Sequence, residues 1–350
     1  MSIEKIAKNL QKGTVVLVSS ETNRHYLSGF KSSLGYLFIS QNKSALYLDS
    51  RYFESAKCTV KNTEVRLLQK LSEAVDEFLD EYDCDKILIE DEITLSEFTR
   101  YKELTGKEFD YSSLSDEISK MRIIKSSVEL GKMKNAQKIA ERAFLDTLPL
   151  IKAGVCERDI AAELEYKIKR FGAEDISFDT IVVGGKNSAL PHGVPTDYKL
   201  QNGDFVTIDF GAVVEGYHSD TTRTIALGSV TDKMKQVYDT VKVAQDIGLM
   251  TLKNGAACKD CDKAAREVIE EAGYGEFFGH GTGHGVGLNI HEAPNLSPNS
   301  EEVLESGMVV TVEPGIYLQS EFGVRIEDMA FITENGYENL TSLSKDLIIL

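Results

Sequence analysis

Long apolar runs are missing from this chain: none approaches the roughly 20 residues that a helix needs to cross a bilayer. The N-terminal stretch MSIEKIAKNLQKG is polar and mixed in charge, without the apolar core of a secretory signal, so the expected location is the cytoplasm. Basic residues are also scarce. Thirty-nine lysines and arginines against 56 acidic residues leave a net charge of −17, which disfavours nucleic acid and anionic membrane as partners. Cysteine is sparse and odd in number, at 58, 84, 156, 258 and 261, as expected for free thiols in a reducing compartment. Cys258 and Cys261 have CxxC spacing, but neither a second pair nor a thioredoxin-like strand accompanies them. The segment CKDCDKAAREVIEEAG therefore reads as the start of an amphipathic helix. Short-period repeats and low-complexity segments are absent too.

What is present fits a globular chain of two domains. Of the 350 residues, 42% are hydrophobic and 27% charged, and the length allows about two units of ~150 residues. Up to about residue 120, helical patterns (3–10, 71–79) alternate with short strands (14–18, 35–40, 45–49, 86–90), which predicts a small α/β domain. Ser126 followed by Glu129 is a capping box, and apolar residues at 130, 133, 136, 139, 140 and 143 give the helix it opens one face. We place the domain boundary just before it, giving domains 1–122 and 123–350. In the second domain, helices near 157–171, 232–252 and 259–272 alternate with strand pairs near 177–183, 205–225, 308–318 and 323–333. Strands that come as hairpins favour an α+β fold with a largely antiparallel sheet.

Two of these hairpins carry acids in an unusual way. In DFVTIDFGAVVEGYHSDTTRTI, Asp209 and Asp220 are symmetric about the Val214–Glu215 peptide, so a hairpin centred there sets them opposite each other. Gly216 hints at a turn displaced by one residue, which a bulge would absorb. In VVTVEPGIYLQSEFGVRIEDMAFI, Glu313 and Glu327 are symmetric about Ser320. Like charges facing each other across strands are destabilising, and burying them unpaired is worse. An apolar strand that presents a carboxylate to another carboxylate calls for a cation or a shared proton. Ordinary surface acids would not recur in this pattern in two hairpins.

Between these hairpins lies FFGHGTGHGVGLNIHEAP, which places His280, His284 and His291 within twelve residues of a chain that has six histidines. Its glycines let the backbone approach a ligand closely. No GxGxxG register or GxxxxGK[ST] motif fits, and His291-Glu292 is no HExxH helix, because Pro294 and Asn295 follow. Four carboxylates and one imidazole form a mostly oxygen site suited to two divalent ions: Mn²⁺ first, with Co²⁺ or Zn²⁺ also compatible. Paired ions of this kind perform hydrolysis.

These residues resemble the pita-bread metallopeptidases: aminopeptidase P, proline dipeptidase and methionine aminopeptidase. The resemblance rests on LPHG around His192, TIDFGA around Asp209, SDTTRT after Asp220, GHGTGHGVGLNIHE, VTVEPGIY around Glu313 and GVRIED around Glu327. NRHYLSGF and LDSRYFESA are similar to the creatinase-type N-terminal domain, which typical methionine aminopeptidases lack. The resemblance implies a C-terminal pita-bread fold with a smaller N-terminal α/β domain. It further implies that Asp209 chelates one metal, Asp220 and Glu327 bridge both, and His284 and Glu313 bind the other. Glu313 would be general base, and His291 and His192 would hydrogen-bond the substrate and the developing oxyanion. His280 would line the substrate pocket, with Arg325 beside the ligand carboxylates, while His218 and His25 carry no role. The implied partners are a second copy of the chain, as a homodimer, and peptides with proline at the second position. Residues 292–312 contain no arginine or lysine to receive the free carboxylate of a dipeptide, which favours an Xaa-Pro aminopeptidase; the alternative is an Xaa-Pro dipeptidase. Creatinase, a metal-free relative, and a catalytically inert binding module are weaker readings, because all five ligand positions are filled.

Overall fold

In the computed structural model, residues 2–350 are described, the side chains of residues 111 and 112 excepted. The chain divides into two compact units, Met1–Arg122 and Ile123–Leu350.

In the first unit, six strands form one mixed sheet: β1 (Thr14–Val18), β2 (Tyr36–Ile39), β3 (Ser44–Leu48), β4 (Glu64–Leu67), β5 (Lys86–Glu90) and β6 (Asp110–Ser112), in the order β4-β3-β2-β1-β5-β6. Helices α1 (Ser2–Asn9), α2 (Glu21–Ser28), α3 (Phe53–Thr59), α4 (Leu71–Tyr82), α5 (Leu95–Thr105) and α6 (Leu114–Arg122) complete it. Side chains alternate across a strand, so the wholly buried TVVLV run of β1 serves two cores. Val15 and Leu17 pack with Phe38 and Phe78, whereas Val16 and Val18 pack with Leu37 and Ile118.

The second unit opens on α7 (Ser127–Thr147), whose capping box forms as expected: Ser126 Oγ accepts from the Glu129 amide, and Glu129 Oε2 accepts from the Ser126 amide. Its other long helices are α8 (Glu157–Arg170), α9 (Asp232–Thr251) and α10 (Cys258–Glu271). Cys258 and Cys261 are buried on the first turn of α10 as free thiols. The strands are β7 (Asp175–Ile176), β8 (Ile181–Gly184), β9 (Phe205–Phe210), β10 (Ala212–Val214), β11 (Tyr217–His218) and β12 (Thr221–Ala226). They continue with β13 (Gly283–Gly285), β14 (Glu292–Leu296), β15 (Val309–Val312), β16 (Gly315–Leu318), β17 (Phe322–Arg325), β18 (Asp328–Thr333) and β19 (Gly336–Asn339). Every strand pairing within this unit's sheets is antiparallel. The fold is thus α+β, a smaller α/β unit followed by a larger antiparallel one. Among the described residues, no helix is long and apolar enough to cross a membrane.

The two acid-bearing hairpins turn out differently. The second follows the expected register: Leu318 pairs with Phe322 around a three-residue loop with Ser320 at φ 65°, and the ladders β16–β17 and β15–β18 share one symmetry. Glu313 and Glu327 fall opposite each other at the break between those ladders. The first hairpin departs from the expected register. Its turn is Glu215–Gly216, at φ 48° and 80°, and two positive φ values in a two-residue loop make a type I′ turn. Asp209 therefore pairs with Thr222, not Asp220, which stands two residues earlier, just before β12. The displacement foreshadowed by Gly216 occurs at the turn itself, and no bulge absorbs it.

Candidate active site

Five strand ends deliver the acids and the imidazole to one place. Asp209 lies near the end of β9, Asp220 just before β12, His284 in β13, Glu313 just after β15, and Glu327 between β17 and β18. Asp220, Glu313 and Glu327 lie at breaks between ladders, whereas Asp209 and His284 are held within them, opposite Thr222 and Asn295. The approach is close: a Cβ on Gly211 would lie 1.9 Å from the Ser219 carbonyl oxygen, and one on Gly283 would lie 2.0 Å from that of Thr311. Both strands meet backbone at these points, so nothing can swing aside. Gly283→Ala is expected to lower stability by about 1–3 kcal/mol through overpacking and to weaken ion binding beside His284. Urea unfolding and a metal titration check this, and an unchanged midpoint would show that β13 can move away from β15.

Ligand atoms of Asp220, His284 and Glu327 lie within 4.8 Å of one another. His284 Nε2 stands 3.6 Å from Asp220 Oδ2 and 3.6 Å from Glu313 Oε1. Its Nδ1 lies 3.0 Å from the Gly285 carbonyl, an acceptor only, so Nδ1 carries the proton and the Nε2 lone pair faces the carboxylates. That is the tautomer of a metal ligand held by an outer hydrogen bond. Burial lowers the His284 pKa to about 4, so the ring stays neutral.

The carboxylates are under strain. Asp220 and Glu327 titrate well above the carboxylate range, through burial first and then through each other's neighbours: Asp209 acts on Asp220, and Asp220 on Glu327. Burial likewise pushes Glu313 up to about 8. Asp209 Oδ1 and Glu327 Oε1 are buried with no hydrogen-bond partner. Buried acceptors rarely go unpartnered. Two orphaned oxygens, crowded acids and an inward-facing imidazole lone pair together fit divalent cations.

A second tier of residues holds this set. Arg325 is engaged four times: Nη2 donates to Asp209 Oδ2 at 2.7 Å, Nη1 to Tyr317 Oη and the Pro191 carbonyl, and Nε to Thr222. Thr222 Oγ1 donates to Glu327 Oε2 at 2.7 Å. The buried Arg223 donates to the Glu327 carbonyl and pairs with Asp328. On the opposite side, buried Asp262 of α10 accepts from the Thr282 amide and hydroxyl, while the Thr282 carbonyl accepts from the Glu313 amide at 2.7 Å. Thr222 and Tyr317 lie inside the SDTTRT and EPGIY strings that signal the site, yet their spacing says nothing of their contacts. Asp262 lies in a helix with no such signal.

The remaining predicted residues line one cleft of about 1270 Å³ with the acids. His291 packs edge-on against His284, ring centroids 4.4 Å apart. His192 lies on the loop after β8. His280 donates through Nδ1 to the Gly281 carbonyl, which leaves Nε2 to accept from Tyr317 Oη at 2.9 Å. Its ring is thus committed to Tyr317 and, through it, to Arg325. His218, read as without a role, sits beside Ser177 Oγ at 3.0 Å. The cleft also contains a cation outside the 292–312 stretch, Arg158 of α8.

Comparisons with known proteins give the family and the fold. Residues 131–334 match the model of metallopeptidase family M24, and residues 4–124 match the creatinase/prolidase N-terminal domain. The Xaa-Pro dipeptidase of Pyrococcus horikoshii is 40% identical over 99% of this chain and 98% of its own. Among solved structures, an Xaa-Pro dipeptidase from Bacillus anthracis superposes with a TM-score of 0.94 at 41% identity, covering 100% of this chain and 99% of its own. An X-Pro aminopeptidase from Thermotoga maritima superposes with a TM-score of 0.92 at 39% identity, covering 99% and 100%. Matched over most of its length, the chain belongs to metallopeptidase family M24 and carries an N-terminal domain of the creatinase/prolidase type.

Proposed function

We propose that the chain hydrolyses the peptide bond preceding proline in Xaa-Pro dipeptides, with two divalent ions held by Asp209, Asp220, His284, Glu313 and Glu327. The observation that carries this is the pair of orphaned oxygens, on Asp209 and Glu327, within a cluster of acids that repel one another. Bound ions supply Lewis-acid polarisation and a nucleophile at neutral pH. Glu313, recessed beside His284, takes the nucleophile's proton and passes it to the leaving proline nitrogen. His291 and His192 donate to the substrate carbonyl and meet the charge that develops there. Arg325 and Tyr317 hold Asp209 from behind, and His280 anchors Tyr317. Manganese as the native ion, a homodimer and a cytoplasmic location belong to the same proposal.

The dipeptide reading replaces the aminopeptidase reading that residues 292–312 suggested. That stretch is one wall of the cleft, and its lack of a cation does not exclude one elsewhere: Arg158 of α8 also lines the cleft, although it is largely exposed and paired with Asp197 at 2.7 Å. Two of the three relatives described above are named Xaa-Pro dipeptidase, which supports the same choice, against one named X-Pro aminopeptidase. One observation favours an aminopeptidase: the cleft of about 1270 Å³ exceeds the roughly 300–1,000 Å³ of ordinary small-ligand pockets. Turnover of Xaa-Pro and Xaa-Pro-Yaa peptides, after chelation and return of Mn²⁺, Co²⁺ or Zn²⁺, tests both. The dipeptide is expected to show the higher kcat/KM, strictly dependent on metal. The reverse ranking would establish the aminopeptidase, and metal-independent cleavage would reject both.

A further inference from the structure

Glu157 opens α8 and is fully buried. Its Oε1 accepts from the Gly184 amide at 2.6 Å and from Asn187 Nδ2 at 3.0 Å. Its Oε2 accepts from the Thr196 amide at 2.9 Å and from Thr196 Oγ1 at 2.6 Å. These donors come from the two ends of one segment, 184–196, with His192 between them. The adjoining backbone is tied to the same helix end, through Glu157 N to the Tyr198 carbonyl and Arg158 N to the Thr196 carbonyl. Toward the cleft, the segment has a second anchor, the Pro191 carbonyl on Arg325 Nη1 at 3.1 Å.

Ahead of the tip, Ser188 and Ala189 are buried, and Ser188 Oγ accepts from the Gly323 amide at 2.9 Å as a further anchor. Leu190 and Val194, on either side of His192, are 57% and 76% exposed. Between 190 and 194 only Gly193 is buried, so the stretch that carries His192 is placed mainly by the anchors on either side of it. An apolar residue could fill the space of Glu157 but could not grip two separate stretches of backbone. The acceptor-only carboxylate does this with both oxygens, and its place on the first turn of a helix favours its negative charge.

We propose that Glu157 is a positioning residue that sets where His192 stands in the cleft. This rests on His192 contacting the substrate. Glu157→Gln keeps the volume but turns an NH₂ group toward one pair of donors, releasing one end of the segment. In the full chain loaded with Mn²⁺, this variant is expected to lose about ten-fold or more in kcat/KM, since small misplacements of positioning groups are costly. Two ions per chain and the wild-type circular dichroism spectrum should remain. In a His192→Ala background the same change is expected to cost less than about two-fold, because residues acting through one another are not additive. Thr196→Val, which removes one donor, should show the same pattern on a smaller scale and decides the matter if Glu157→Gln does not fold. Losses that multiply in the double variants, or loss of an ion from the single variants, would overturn the proposal. If His192→Ala retains wild-type kcat/KM, the role of His192 falls and this inference with it, whereas metal-dependent turnover by the parent chain tests the peptidase reading separately.

Discussion

Glu313→Gln is expected to lower kcat by about 10³-fold at saturating Mn²⁺ while leaving the fold intact, within the range typical for loss of a general acid–base group. The side chain is placed by a short backbone span. Its amide donates to the Thr282 carbonyl, and Thr282 is in turn gripped by Asp262, so both variants hold position 313 in the same place. Glutamine is isosteric and keeps one oxygen toward His284, so ligation is weakened less than proton transfer. Burial pushes Glu313 up to about 8, with Arg325 drawing it back down, and a neighbouring dication pulls further in that direction. With ions bound the carboxyl group is held in its ionised form, the form that can accept the nucleophile's proton. Measurement of kcat, bound metal per chain and unfolding midpoint separates the possibilities. Activity within ten-fold of wild type would remove Glu313 from the mechanism, and loss of ions in parallel with activity would reduce it to a ligand.

The path from sequence to site was legible where symmetry about a turn decides the geometry. Glu313 and Glu327 share one register because the loop around Ser320 preserves it through two successive ladders. The same reasoning misplaces Asp220, because a type I′ turn puts Glu215 at positive φ, and a non-glycine residue gives no advance notice of that. Helix α5 escaped the pattern reading for a related reason. Tyr101 is its one buried residue and Leu95 is largely exposed, so little periodicity marks it. The supports of the site were the least legible part. Glu157 sits on the first turn of α8, where acids ordinarily face solvent and the helix dipole, and Asp262 one turn into α10. Asp262 has a local partner in Arg266, but the contacts that tie these two acids to the site come from residues 20 to 39 positions away. A cleft collects residues from several stretches of chain, so the absence of a cation from 292–312 says nothing about residues such as Arg158 on α8.

Without metal, the chain is expected to lose stability as pH rises from 6.5 to 8, and saturating Mn²⁺ is expected to abolish or reverse that slope. The sign follows from the acids. Glu313 ordinarily titrates near 4.5 and is pushed up to about 8 in the folded chain, so between those values the folded state binds a proton that the unfolded chain has lost. Stability falls with pH wherever the native state holds more protons, by about 1.4 kcal/mol per pH unit for each full proton. Asp220 and Glu327 are raised as well and act in the same direction. His284 opposes them only at lower pH. Lowered to about 4 from 6.5, it leaves the unfolded chain with the extra proton between those values, so stability rises with pH there and the effect ends near 6.5. Ions bind the deprotonated acids, so their uptake releases protons and tightens with pH. At a free concentration 1,000 times Kd, each site adds about 4 kcal/mol to the folded state. Urea unfolding in chelator and in Mn²⁺, at several pH values across this window, measures both slopes. A metal-free chain whose stability held level or rose toward pH 8 would mean that the acids do not crowd one another, and the reason for placing cations among them would be gone.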